Sequence, residues 1–136
     1  MTDLKVVMMG LGYIGLPTAA LIASRGINVQ GIDINQSVVD TINGGKIHIV
    51  EPALDGLVKH VVEKGLLKAS TTVETADVYL IAVPTPFKGD HEPDLKYVES
   101  ATRMIIPNLK EGNLFIIEST SPVGTTDKMA KIIFKE

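Results

Sequence analysis

Two patterns of apolar positions alternate along the chain. Residues 4–9 are a nearly unbroken apolar run that ends at Gly10, and residues 77–83 (DVYLIAV) hold six apolar positions in succession. Such runs predict strands buried on both faces of a parallel sheet. Residues 27–33, 66–69 and 113–118 read as three further strands. Between them the spacing becomes helical. Residues 14–24 are rich in Ala and Leu and precede Gly26, a natural left-handed stop. Residues 36–42 predict a second helix, closed by Gly44 and Gly45. Leu54, Leu57, Val58, Val61 and Val62 follow the spacing of an amphipathic third, stopped at Gly65. A fourth starts at Asp94, carries the stripe Leu95, Val98, Ala101, Thr102, Ile105 and Ile106, and meets Pro107; a last one covers residues 125–134. Residues 47–52, 84–93 and 119–124 predict loops.

Strands and helices in this alternation, joined by right-handed crossovers, define an α/β fold with a doubly wound parallel sheet. A dinucleotide domain of this topology has six strands in the order 3-2-1-4-5-6, so the five read here leave a sixth to be supplied from outside these residues. The length of 136 residues and the composition, 45% apolar and 21% charged, suit one globular domain spanning residues 1–136. Thirteen basic and sixteen acidic residues give a net charge of −3, which offers no positive field for nucleic acid. With no cysteine, the chain has no disulfide, no thiolate metal site and no thiol nucleophile of its own. Residues 6–24 carry no charge, yet Gly10, Gly12, Gly15 and Pro17 interrupt them and no basic cluster precedes them. Neither a signal peptide nor a membrane contact is expected, and the expected location is the cytoplasm.

The strongest chemical signal is Gly10-Leu11-Gly12-Tyr13-Ile14-Gly15, a G-x-G-x-x-G that follows a predicted strand and opens a predicted helix. Asp33 ends the next strand, 18 residues beyond the third glycine. In such a fingerprint Gly10 permits the tight turn, Gly12 lets the backbone approach a pyrophosphate, and Gly15 lets the helix sit close to the sheet. The free amides of the helix start then face the phosphates. Asp33 can accept both ribose hydroxyls of an adenosine, and with no Arg after it would repel a 2′-phosphate, so NAD is expected rather than NADP.

Other patterns fail on single residues. Leu16 stands where a nucleotide-hydrolase phosphate loop needs Lys, and Leu95 and Ala101 stand where a calcium loop opening at Asp90 needs Gly and Glu. His48, His60 and His91 share no ligand spacing and read as polar loop or surface residues, so no metal is expected. Two hydroxyl-rich loops follow strands four and five, where open α/β sheets bind ligands. Thr85 and Thr120 can place hydroxyls near a nicotinamide ribose and Thr126 can serve a helix start facing a cofactor; the alternative is that these hydroxyls only cap turns and helices.

Taken together, G-L-G-Y-I-G-L-P, the V-P-T-P loop and the E-S-T-S-P-V-G-T-T loop resemble the UDP-glucose/GDP-mannose dehydrogenase family, the UDP-sugar 6-dehydrogenases, over essentially all 136 residues. Residues 47–52 and 84–94 look most like the branch that oxidises UDP-N-acetyl-D-mannosamine. The sequence departs at Ala53, where many relatives have glycine. The resemblance implies a Rossmann-like NAD-binding domain of an enzyme that oxidises a sugar C6 alcohol to a carboxylate with two NAD, with a linking helix and a sugar-nucleotide domain outside these residues. It implies backbone amides of Tyr13 and Ile14 at the pyrophosphate, Asp33 at the adenosine ribose, Thr85 and Thr126 on the cofactor, and Thr120 as a catalytic residue that helps hold a water. The family's cysteine, lysine and asparagine lie beyond residue 136, so this chain alone is expected to be inactive. A UDP-sugar substrate, bound through the missing domain, and a homodimer of the full-length protein are implied partners. A different UDP-sugar, or a stand-alone module that binds NAD without catalysis, are the competing readings.

Overall fold

The computed structural model describes residues 4–49, 51, 53–83 and 96–117, together with the backbone of 87–88 and 92–93. In chain order the elements are β1 (Lys5–Met9), α1 (Gly15–Ser24), β2 (Asn28–Ile32), α2 (Gln36–Asn43), α3 (Leu54–Glu63), β3 (Leu67–Ser70), β4 (Val78–Ile81), β5 (Phe87–Lys88), β6 (Glu92–Pro93), α4 (Lys96–Ile105), a 3-10 turn (Ile106–Asn108) and β7 (Leu114–Ile117). The main sheet has the order β3-β2-β1-β4-β7 with every pair parallel, which is the 3-2-1-4-5 portion of the expected topology. The short strands β5 and β6 pair antiparallel within a segment expected to be loop; two residues per strand leave no periodic signal in a sequence. The helix start at Asp94, the loop at 119–124 and the helix at 125–134 lie outside the described residues.

Alternate residues of each central strand enter different cores. Val6 and Met8 of β1 pack with Leu16, Ala20, Ile42 and Val58 from α1, α2 and α3, whereas Val7 and Met9 pack with Tyr79, Ile81, Val98 and Ile105 on the α4 side. The helices divide because the chain winds from β1 towards β3 and then from β4 towards β7, and right-handed crossovers in opposite directions put their helices on opposite faces.

The return from β3 to β4 has no helix, and side chains fix it instead. Buried Gln30 donates from Nε2 to the Thr72 carbonyl at 3.1 Å and accepts at Oε1 from the Glu74 amide at 2.9 Å. The Tyr79 hydroxyl accepts from the Ala76 amide at 2.9 Å and donates to the Asn108 carbonyl at 3.1 Å. Lys5 Nζ reaches Glu74 Oε2 at 2.6 Å and holds that carboxyl below its usual range, although both groups are exposed and salt weakens such a pair. At the outer edge of the sheet, Asn43 bonds both backbone groups of Ala69, its Nδ2 donating at 2.9 Å and its Oδ1 accepting at 2.8 Å. One side chain thus satisfies the outward backbone groups of Ala69 on the edge strand. No helix among the described residues is long and apolar enough to cross a membrane.

Ala53, immediately before α3, has φ +65°, the left-handed region that favours glycine. A left-handed conformation costs a residue with a Cβ about 1–2 kcal/mol, more than the entropy glycine gives up. Ala53→Gly should therefore stabilise the domain by up to about 1 kcal/mol. Urea unfolding checks this as a higher midpoint at an unchanged slope.

Candidate binding site at the glycine turn

Between β1 and β4 the winding changes direction, and a crevice opens beyond the carboxyl ends of the strands. A groove of about 880 Å3 lies there. Its floor is the turn from Gly10 to Ile14, one wall is Ile32, Asp33 and Ile34 after β2, and another is Ala82 and Val83 after β4 with Lys96, Tyr97 and Ser100 from α4.

The three glycines of the fingerprint have three different surroundings. Gly10 has φ +95° and donates to the Ile32 carbonyl at 2.7 Å; a Cβ there would lie 2.7 Å from the Ala82 carbonyl oxygen. A Cβ on Gly15 would collide with the carbonyl of Gly10, so the first turn of α1 rests directly on the strand-to-helix turn. At Gly12 nothing lies within 4 Å of the place a Cβ would take, which leaves the backbone open to the groove. Among the described residues the amides of Gly12, Tyr13 and Ile14 have no hydrogen-bond acceptor, and the first turn of α1 holds no acidic side chain. Open amides at the positive end of a helix are suited to a diphosphate.

Asp33 is held in place by the chain around it. Its Oδ2 accepts from the Leu11 amide at 3.2 Å and its Oδ1 from the Asn35 amide at 3.0 Å. Asn35 then caps α2 by accepting from the Ser37 amide at 3.0 Å. The carboxylate has further lone pairs to offer a vicinal diol, and an anionic group brought beside it is repelled. Gly10, Gly12, Tyr13, Ile14 and Asp33 thus line one groove, with Gly15 beneath it. Thr85, Thr120 and Thr126 lie outside the described residues.

Three contributors escape a motif search. Gly31 in β2 leaves the space that the fully buried Leu11 side chain fills, since a Cβ there would come within 2.7 Å of Leu11 Cδ2. A glycine inside a strand is the available signal for such an approach. Ile34, 78% exposed beside Asp33, and His48 also face the groove. Neither belongs to a spacing that marks it.

A parallel sheet of this order with a glycine turn on a helix start defines a dinucleotide-binding domain. Residues 4–136 match the UDP-glucose/GDP-mannose dehydrogenase family, NAD binding domain. The chain is 65% identical over 133 residues to the UDP-N-acetyl-D-mannosamine dehydrogenase of Campylobacter jejuni, covering 97% of this chain and 33% of that protein. It is equally 65% identical over 131 residues to that of Escherichia coli strain K12, covering 96% and 31%. The solved UDP-N-acetyl-mannosamine dehydrogenase of Staphylococcus aureus superimposes with a TM-score of 0.92 at 44% identity, over 96% of this chain and 32% of that one. This chain belongs to the UDP-glucose/GDP-mannose dehydrogenase family, whose NAD-binding domain it comprises. It spans about a third of the length of the curated relatives it matches.

The glycine geometry separates folding from binding. Gly12→Ala should fold with an unchanged thermal midpoint and lose NAD affinity at least tenfold, because its methyl group enters the groove where the phosphates would lie. Gly15→Ala should instead lose several kcal/mol of stability, since backbone must move to admit it. Thermal melting and calorimetry on both variants distinguish the two effects.

Proposed function

We propose that this chain is the cofactor-binding domain of an NAD-dependent UDP-N-acetyl-D-mannosamine dehydrogenase, which oxidises the sugar C6 alcohol to a carboxylate. The observation that carries the reading is the groove itself, where open amides at Gly12, Tyr13 and Ile14 stand beside a fixed Asp33 carboxylate. The 65% identity to enzymes of that name supports the choice of sugar. Bound NAD supplies an oxidant that takes two electrons, so an alcohol needs two of them and one water to reach the carboxylate.

This chain's residues hold and orient. The amides of the glycine turn neutralise the diphosphate, Gly10 permits the turn, Gly12 leaves the backbone bare for the ligand, and Gly15 fixes the helix that aims the amides. Asp33 binds the adenosine ribose and excludes a 2′-phosphate. By the family resemblance, Thr85 and Thr126 contact the cofactor and Thr120 helps to hold the water. The sugar-nucleotide site, with the nucleophile that carries the aldehyde step, lies in a domain outside these residues. The proposal extends to a homodimer of the longer protein, working in the cytoplasm where NAD and UDP-sugars are available.

Asp33→Ala should weaken NAD roughly tenfold or more, the effect of losing a charged acceptor worth about 1.5–3 kcal/mol, and should narrow the preference over NADP. Calorimetry with both cofactors tests it, and equal binding of NAD and NADP by the unaltered chain would overturn the assignment. The purified chain should also form no NADH from NAD and UDP-N-acetyl-D-mannosamine, because the sugar-nucleotide site that the first oxidation needs lies outside these residues and no cysteine is present to hold the thiohemiacetal of the second. Absorbance at the NADH band, against a buffer control, is the measurement.

A further inference from the structure

The groove has a polar residue that the fingerprint leaves without a task. His48 lies in the connection between α2 and α3, and its neighbours Ile47 and Ile49 pack against the core that those helices share with β1. The two isoleucines anchor the segment on both sides, and the exposed residue between them turns to the groove, where it forms part of the lining. Among the described residues the imidazole has no hydrogen-bond partner.

His48 lines the same groove as Asp33 and Ile34, which Lys96 and Tyr97 line from α4. The Asp33 carboxylate already takes two amides, so a carboxylate there serves as an acceptor. An adenosine presents ring nitrogens as well as hydroxyls, and its acceptors need an N–H that neither Asp33 nor Ile34 can give from its side chain. A neutral imidazole carries one such donor.

We propose that His48 is a cofactor-recognition residue that donates a hydrogen bond to the adenosine half of the dinucleotide, complementing the acceptor Asp33. The inference rests on the cofactor reading above and adds a second side chain to it. Because His48 is exposed and in a loop, its replacement leaves the core intact.

Calorimetry on the 136-residue chain, with NAD and with ADP-ribose, tests the assignment in His48→Ala and His48→Asn. His48→Ala should weaken both ligands by the same factor, about three- to tenfold, at an unchanged thermal midpoint. His48→Asn, which keeps an N–H donor, should recover part of the loss. Unchanged binding of ADP-ribose by His48→Ala would overturn the proposal, and so would a loss confined to NAD, which would move the contact to the nicotinamide half. Asp33→Ala serves as the reference: if it weakens ADP-ribose while His48→Ala does not, the cofactor reading stands and the role of His48 falls. If the unaltered chain binds neither ligand, both fall together.

Discussion

The architecture depends on one close contact, the packing of Gly15 onto the carbonyl of Gly10. It fixes where α1 begins relative to β1, and with it the point towards which the helix's free amides aim. Gly10 can lie there only because its φ of +95° and its bare Cα let it pass beneath the Ala82 carbonyl. The next residue, Leu11, goes in the opposite direction and fills the space that Gly31 leaves over β2. Its amide meanwhile donates to Asp33, so the turn and the acidic residue position one another. Gly10, Leu11, Gly15, Gly31 and Asp33 thereby act as a unit, and a shift in any one of them is passed to the others because close-packed groups have nowhere to yield.

The distribution of hydrogen bonds supports the same conclusion. No buried side-chain polar atom among the described residues lacks a partner, including the Gln30 amide and the Tyr79 hydroxyl under the sheet. On the outer side of β3, Asn43 satisfies both backbone groups of Ala69. Against that background of satisfied groups, open amides at Gly12, Tyr13 and Ile14 are concentrated in one place, at the switch of winding direction. Solvent can satisfy them when no ligand is present, so leaving them open costs the fold little. A diphosphate replaces that solvent with charge that the helix end favours.

Most of the fold was legible because it rests on repeating patterns. β1 and β4 are apolar at successive positions, and the structure buries them on both faces; α3 and α4 follow the helical stripe and bury Val58, Val61, Val98 and Ile105 along it. Boundaries moved by a residue or two, as for β3, where pairing with β2 includes Ser70 and leaves out Leu66. The β5–β6 pair escaped because it is too short for a period. The fingerprint was legible for a different reason: its glycines answer steric demands that no other residue meets. Gly31, Ile34 and His48 were not, because each acquires its role only when β2, the turn and the α2–α3 connection are folded together.

The placement of His48 also bears on how substrate and cofactor recognition are divided. The glycine turn and Asp33 answer only the demands of a dinucleotide, and His48, in the α2–α3 connection, lines the same groove. A contact at the adenosine end sets the depth and tilt of the dinucleotide within the groove. Because the dinucleotide is a single chain of atoms, a displacement at its adenosine end is transmitted through the diphosphate, which the amides grip, to the reactive ring at the other end. Small differences in that ring's position matter to chemistry, since reacting atoms must meet within a few tenths of an ångström of the productive distance.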